Sequence, residues 1–267
     1  FQQLWQQGLV YQSEKVVAYS TALETVLSNF EASSNYKEVQ DPAITVLFPL
    51  ADQDGYIAAW TTTPWTLPAN VALCVNAKLD YVKVLDPQLN QAIWCAATLL
   101  PTRLQTAVVL AQVKGAELAG LRYLPVMPNA AISVEPRAYQ LLCDDFVSAD
   151  SGTGIVHLAP AFGEEDQRVC RAHQLSASPC PLDSRGHFTA DMGELAGLYL
   201  KDADKVIIQQ LKQRGLLYQH ESILHSYPFC PRTDTPIIYR AVPSWFIRVG
   251  PLRDKLVANN QQIQWVP

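Results

Sequence analysis

Short runs of β-branched and aromatic residues, separated by turn formers, dominate the first half of the chain. Turn-forming pairs such as Asp54-Gly55 and Asp86-Pro87 stand between these runs. Because such alternation is typical of strands and tight connections, it predicts a sheet. The predicted strands are AITVLFPL (43–50), GYIAAWTTT (55–63), VALCVN (71–76) and YVKVLD (81–86).

Helical patterns are fewer and lie mainly in the second half. GEEDQRVCRAHQL (163–175) places acidic residues in a first turn and apolar Val169 further on, as a helix start requires. DADKVIIQQLKQRGLL (202–217) predicts a helix from an Asp cap to a stop at Gly215. Residues 101–124 read as mixed structure broken by glycines, and CDDFVSADSGTGIVHLAP (143–160) reads as strand, glycine turn and strand. The prediction is a mixed α+β fold with a β-barrel-like central sheet and peripheral helices.

Composition changes this picture little. The 267 residues are 49% hydrophobic and 17% charged, which is an ordinary globular balance. The net charge of −5 provides no global basic field, so any contact with nucleic acid should be local. No apolar run is long enough to span a bilayer and no signal peptide is evident, so we expect a cytoplasmic protein without membrane contact. Six scattered cysteines favour reduced thiols over disulfides.

Two polar segments are candidates for chemistry. The first, WTTTPWTLPAN (60–70), places three threonines at a strand end, in a loop stiffened by two prolines. The second is GTGIVHLAPAFGEED (152–166). If its first half is a strand, the His157 side chain points to the opposite face from the side chains of Val156 and Leu158. Asp166 falls in the first turn of the following helix, where the dipole should keep its carboxylate ionised and suited to a small cation such as an ammonium.

Each feature also has a structural explanation. Threonines favour strands, a single histidine in a strand is usually a satisfied side chain, and acidic residues commonly begin helices. Zinc is a further alternative, with Cys170, His173, Cys180 and His187 as imaginable ligands. Their spacing is loose and Cys230 stands alone, so we expect no metal site.

Taken together, the two polar segments resemble the signature segments of the editing domain inserted into isoleucyl-tRNA synthetases. SNFEASSNYKEVQDPAITVLFPL before them and HSYPFCPRTDTPIIYRAVPSWFIRV after them are similar to that family in the same order. The sister enzymes for valine and leucine have an arginine where this chain has Pro64, and no histidine where His157 stands. The variant APAFGEED (159–166) has Phe162 where many bacterial members have a second histidine, and in this it resembles the eukaryotic-type branch of the family.

The resemblance implies a domain organisation and partners. Residues 1–38 and 223–267 would be connecting segments to the synthetase body, and residues 39–222 the editing core. The nucleotide-binding signatures of the synthetic site are missing, so this chain would hydrolyse mischarged tRNA rather than charge it. Its partners would be the 3′ end of tRNA(Ile) carrying valine and the parent synthetase in cis. The fragment would be monomeric and would use no cofactor.

The resemblance also assigns catalytic roles. Asp166 would bind the ammonium group of the misplaced amino acid. Thr61, Thr62 and Thr63 would offer hydroxyls and backbone groups to the terminal adenosine, the ester and the attacking water.

Further residues would bind the substrate. Asn70 would hold the far end of the threonine loop or the ribose, and Trp60 and Trp65 would supply apolar wall or base-stacking contacts. His157 would face the amino-acid side chain and the ribose and help to reject isoleucine. Two alternatives stay open: a non-catalytic module that only binds the tRNA acceptor end, and the homologous domain of a valyl- or leucyl-tRNA synthetase.

Overall fold

The computed structural model describes residues 1–100, 104, 107–129, 132, 135–150, 152–175 and 179–266. The chain divides into two compact units, one of residues Val16–Arg240 and one of Phe1–Lys15 with Ala241–Pro267. The mixed structure predicted over 101–124 lies partly outside the described residues. From Val108 onward that region is a strand followed by one helical turn.

The strands and helices of the described residues are numbered here in chain order. The strands are β1 Val10–Ser20, β2 Thr25–Val26, β3 Tyr36–Pro49, β4 Tyr56–Thr61, β5 Ala72–Val75, β6 Asp80–Asp86, β7 Gln91–Ala96, β8 Val108–Lys114, β9 Leu141–Cys143, β10 Val156–Leu158, β11 Leu217–Pro228 and β12 Ile238–Ile247. The α-helices are α1 Gln2–Gln6, α2 Asn29–Ser33, α3 Gly115–Leu118, α4 Glu164–Ala172, α5 Leu200–Gln213 and α6 Arg253–Asn260.

A six-stranded sheet forms the centre of the larger unit, in the order β11-β3-β4-β7-β6-β8. All of its neighbouring pairs are antiparallel except β4 and β7, which are parallel. Side chains from five of its strands, β3, β4, β6, β7 and β11, meet in one apolar cluster, which contains Leu47, Ala58 and Ile93. The sheets with helices around them confirm the α+β prediction, and each of the four predicted strands is present.

A smaller sheet in the order β10-β5-β9 carries the second polar segment. His157 of β10 is paired with Leu73 of β5. Leu158 packs with Val169 of α4 in a second apolar cluster, with Val156 against it. Because side chains alternate along a strand, His157 points away from this cluster, as the pattern predicted.

Several local predictions need correction. The stiffened threonine loop is a 3-10 helix over Pro64–Ala69, because Pro64 at its first position favours a helical start. Helix α5 begins at Leu200, and its cap is Tyr199, three residues before the predicted cap Asp202. It ends as predicted before Gly215, whose φ is +68°.

The predicted strand from Cys143 is shifted. Strand β9 ends at Cys143, because the Asp144 carboxylate accepts the Phe146 amide and turns the chain. Further along, helix α4 begins at Glu164 with acidic residues in its first turn, in agreement with the sequence pattern.

The larger unit is wider than the predicted editing core. It includes residues 16–38 and 223–240, which the sequence assigned to connecting segments. Residues 36–38 and 223–228 belong to this unit because β11 pairs antiparallel with β3, from Leu217 opposite Val46 to Pro228 opposite Tyr36. In the smaller unit, Trp5 contacts Trp245 and Tyr11 contacts Phe246, with ring centroids 5.7 and 5.6 Å apart. In the described residues, every helix is too short or too polar to cross a bilayer.

Candidate active site

A cavity of about 480 Å³ lies in the larger unit, where the two polar segments meet. Its volume is within the range of small-molecule sites. One wall is the threonine segment, a second is the glycine turn with β10 and the start of α4, and a third is the end of β11 with the start of β12. The lining residues are Trp60–Thr63, Trp65, Thr66, Phe146, Ser148, Gly152–His157, Ala159, Phe162, Gly163, Asp166, Tyr227, Pro228 and Ile237–Tyr239.

Thr61, Thr62 and Thr63 all line this cavity. The Thr61 hydroxyl accepts the backbone amide of Thr63 at 3.1 Å and lies 3.3 Å from the Thr63 hydroxyl. These contacts bend the chain directly after β4 and bring the hydroxyls of Thr61 and Thr63 together. The bend prepares donors and acceptors for a polar ligand.

His157 is buried in the cavity wall, and both of its ring nitrogens have partners. Nε2 lies 2.9 Å from the Thr66 hydroxyl, and Nδ1 lies 3.4 Å from the Asn70 amide nitrogen. Since an amide nitrogen only donates, Nδ1 accepts and Nε2–H donates to Thr66. Burial lowers the pKa of His157 to about 4, so the ring is neutral. A neutral ring held at both nitrogens acts as a fixed wall.

Asn70 lies behind His157 and is not among the residues that line the cavity. Its amide nitrogen donates to the Ala72 carbonyl at 2.9 Å, and its amide oxygen accepts from the Tyr123 hydroxyl at 2.7 Å. Because Asn70 is only 4% exposed and both ends of its amide are engaged, the expected contact with a ribose is not available. The alternative expectation fits this placement: Asn70 holds the end of the threonine segment.

Trp60 and Trp65 both line the cavity, with different exposure. Trp65 is buried, and its ring meets that of Phe162 edge to face with centroids 4.8 Å apart. Trp60 is half-buried and covers Gly152, where an added Cβ would lie 3.0 Å from the Trp60 Cβ. Trp65 is therefore a packed wall, whereas Trp60 keeps some surface for contact with a ligand.

Asp166 reaches the cavity from the first turn of α4. Its Oδ2 accepts the backbone amide of Ala159 at 2.8 Å. Burial raises the pKa of Asp166 to about 6, although the hydrogen bond from the Ala159 amide lowers it. Desolvation therefore outweighs the amides of the helix terminus in setting this pKa. The carboxylate is still mostly ionised at neutral pH, and it is a half-buried anion that a cation would stabilise.

Sequence reasoning missed part of the lining. Thr66 is buried and donates its hydroxyl to the Thr63 carbonyl at 2.8 Å while it accepts from His157. Its position two residues after Pro64 in the same polar segment was an available signal. Tyr227 and Tyr239 belong to the third wall, and nothing in their local sequence marks them. Tyr227 is brought there by the pairing of β11 with β3, and Tyr239 lies at the start of β12.

The cysteines and histidines considered as zinc ligands take other positions. Cys170 packs in the apolar cluster behind β10, and His173 Nε2 lies 3.2 Å from the Cys143 carbonyl oxygen. Within the described ranges, no three His, Cys, Asp or Glu side chains are grouped closely enough to hold a metal ion.

Comparison with known proteins adds relatives along the whole chain. The isoleucine–tRNA ligase of Bdellovibrio bacteriovorus is 48% identical over an alignment that covers 100% of this chain and 26% of that protein. The cytoplasmic isoleucine–tRNA ligase of Saccharomyces cerevisiae is 44% identical, again over 100% of this chain and 26% of the relative. The chain thus spans about a quarter of the length of these curated relatives.

Solved structures share the fold at low identity. The crystal structure of GlLeuRS-CP1 superposes with a TM-score of 0.54 at 14% identity, covering 67% of this chain and 99% of that one. The P. knowlesi cytosolic leucyl-tRNA synthetase editing domain gives 0.51 at 11% identity, covering 73% of this chain and 100% of that one. The profile of the tRNA synthetases class I (I, L, M and V) matches residues 1–267. The chain belongs to this class I tRNA synthetase family.

Proposed function

We propose that this chain is the editing domain of an isoleucyl-tRNA synthetase and hydrolyses the ester of mischarged valyl-tRNA(Ile). The observation that carries the proposal is that Asp166 and the three threonines Thr61, Thr62 and Thr63 line the same cavity. Its relatives are named isoleucine–tRNA ligases, and structures of its fold are named CP1 and editing domains.

The chemistry needed is modest. An aminoacyl ester carries a protonated α-amino group that already activates it toward water. Asp166 binds this ammonium by a charge-assisted hydrogen bond and fixes the ester in the cavity. The threonine hydroxyls and backbone amides orient a water and stabilise the oxyanion that forms as it attacks. The proton of the water leaves with the ribose hydroxyl, so no covalent intermediate and no cofactor is required.

Discrimination supports the same assignment. One methylene is worth only about 1–3 kcal/mol in an apolar pocket, and isoleucyl-tRNA synthetases are the usual example of that limit. A second pocket must therefore admit valine and exclude isoleucine by size. A neutral His157, fixed at both nitrogens by Thr66 and Asn70, is a wall suited to that exclusion.

The substrate is the 3′ end of tRNA(Ile), presented by the parent synthetase in cis, with the protein acting as a monomer in the cytoplasm. The cytoplasmic isoleucine–tRNA ligases of yeast and mouse among its relatives support this location. The net charge of −5 is consistent with a short local contact rather than broad tRNA binding.

A deacylation assay tests the proposal directly. Valyl-tRNA(Ile) should lose its ester in the presence of the protein, and isoleucyl-tRNA(Ile) should be spared. Protection of both esters would instead identify a module that only binds the acceptor end. Preferred cleavage of threonyl-tRNA(Val) or of a mischarged tRNA(Leu) would instead point to the homologous domain of a valyl- or leucyl-tRNA synthetase.

A further inference from the structure

A buried carboxylate outside the cavity contacts the threonine segment from behind. Asp204 lies on α5 and is only 4% exposed. Its Oδ1 accepts the backbone amide of Trp65 at 2.8 Å, across 139 positions of sequence. A buried carboxylate is costly unless it is well bonded, so this contact calls for a physical reason.

The reason lies in how the 3-10 helix Pro64–Ala69 begins. Thr63 occupies the cap position, where a threonine hydroxyl commonly accepts an amide of the first turn. Here Thr63 makes no such capping bond. Its hydroxyl lies instead 3.3 Å from the Thr61 hydroxyl and 3.4 Å from that of Thr66. Because Asp204 takes the Trp65 amide, the Thr63 hydroxyl is left in the cavity.

Helix α5 also contacts a second wall of the cavity. Lys201, one turn before Asp204, places its ammonium 4.7 Å from the centre of the Tyr227 ring. The same ammonium binds the Asp41 carboxylate at 2.8 Å, and His225 binds that carboxylate at 3.0 Å. One helix thus connects the threonine segment with the Tyr227 wall.

We propose that Asp204 is a positioning residue, which caps the 3-10 helix in place of Thr63 and so keeps the threonine hydroxyls directed at the ester. This deepens the proposed function and rests on it for its catalytic consequence. The capping contact itself stands on the geometry alone. Either ionisation state of the carboxyl keeps an oxygen that can accept the Trp65 amide, and an asparagine side chain keeps one too.

Paired variants in the full-length protein test this role in the deacylation assay. Asp204→Ala should lower kcat for valyl-tRNA(Ile) by about tenfold to a hundredfold, the loss expected from misplacing reacting groups. KM should change by less than about twofold, because the ammonium anchor at Asp166 is untouched. Asp204→Asn should restore most of kcat, and Asp202→Ala, an exposed acid on the same helix, should have no effect.

A second measurement does not depend on activity. Hydrogen exchange resolved to single amides should find the Trp65 amide protected in the wild-type protein and in Asp204→Asn. The first-turn amides of a helix have no partner within the helix, so this protection requires a cap. Asp204→Ala should remove the protection selectively, with the amides of β4 unchanged.

The outcomes separate the two proposals. If the wild-type protein does not deacylate valyl-tRNA(Ile) while the Trp65 amide is protected by Asp204, the function is wrong and the cap is right. If the wild-type protein is active and Asp204→Ala keeps full kcat, or if the wild-type Trp65 amide exchanges freely, the positioning role is overturned.

Discussion

A Cβ atom placed on Gly163 would lie 2.4 Å from the Cγ of Asp166 and 2.6 Å from both of its carboxylate oxygens. Gly163 has an ordinary negative φ and is the cap of α4, so its backbone conformation does not require glycine. The missing side chain instead leaves the room that the Asp166 carboxylate occupies. The residue three positions before the acid therefore fixes where the negative charge can lie.

Gly163→Ala should displace the carboxylate without backbone strain. We expect kcat/KM for valyl-tRNA(Ile) to fall by about tenfold to a hundredfold, as for other small displacements of a binding group. Deacylation kinetics with circular dichroism as a check on folding measures this. Gly250→Ala is the control, since nothing lies within 4 Å of its Cβ position. Equal activity of the two variants would contradict the steric role.

The activity should depend on pH through Asp166. Burial raises the pKa of Asp166 to about 6, and only the ionised form binds an ammonium. Hence kcat/KM should fall as pH decreases through about 6, after subtraction of spontaneous hydrolysis at each pH. His157 does not contribute in this window, because its pKa is lowered to about 4. In the pH profile of kcat, the decrease on the acid side should occur at a lower pH than in the profile of kcat/KM, because the bound ammonium stabilises the ionised carboxylate. A flat profile between pH 5 and pH 7 would refute the assignment.

Asp166→Asn should separate stability from function. A raised pKa means that the folded state holds a proton that the unfolded chain has released, at pH values between about 4 and 6. Stability from this group therefore falls as pH rises through that window and stays lower at pH 7. The amide keeps an acceptor for Ala159 without the charge, so Tm at pH 7 should rise by about 2–4 °C, as about 1 kcal/mol does in a domain of this size.

The same variant should lose hydrolysis, since the amide cannot pair with an ammonium. Asp202→Asn, which changes an exposed acid outside the cavity, should leave activity unaltered. A lower Tm for Asp166→Asn, or retained hydrolysis, would count against the buried anion as the binding group.

His157→Ala should relax the exclusion of isoleucine. Removal of the ring opens the wall between Thr66 and Asn70, so isoleucyl-tRNA(Ile) should be deacylated at least about tenfold faster than by the wild-type protein. The measurement is the ratio of the isoleucyl and valyl rates. His220→Ala, on the exposed face of β11, is the matched control. If cognate ester is still spared, another residue sets the size limit.

Sequence patterns located the central elements because those signals are local. The alternation around His157 was enough to place its side chain opposite Leu158, and the threonines were expected together in the pocket from one continuous segment. The 3-10 helix was missed because Pro64 is compatible with both a loop and a helical first position.

Long-range partners could not be predicted from the sequence. Asp204, Tyr123 and Tyr227 act through contacts across distant positions, and nothing near each of them in sequence indicates its partner. The raised pKa of Asp166 could not be predicted for the same reason. The helix start is visible in the sequence, whereas the burial that opposes it depends on the assembled walls.

The walls of the cavity come from residues 60–66, 146–166 and 227–239. A ribosome must therefore translate past Tyr239 before the three can close around a substrate. A nascent domain that ends before Tyr227 lacks the third wall, so the complete cavity exists only once the last of these segments has been added.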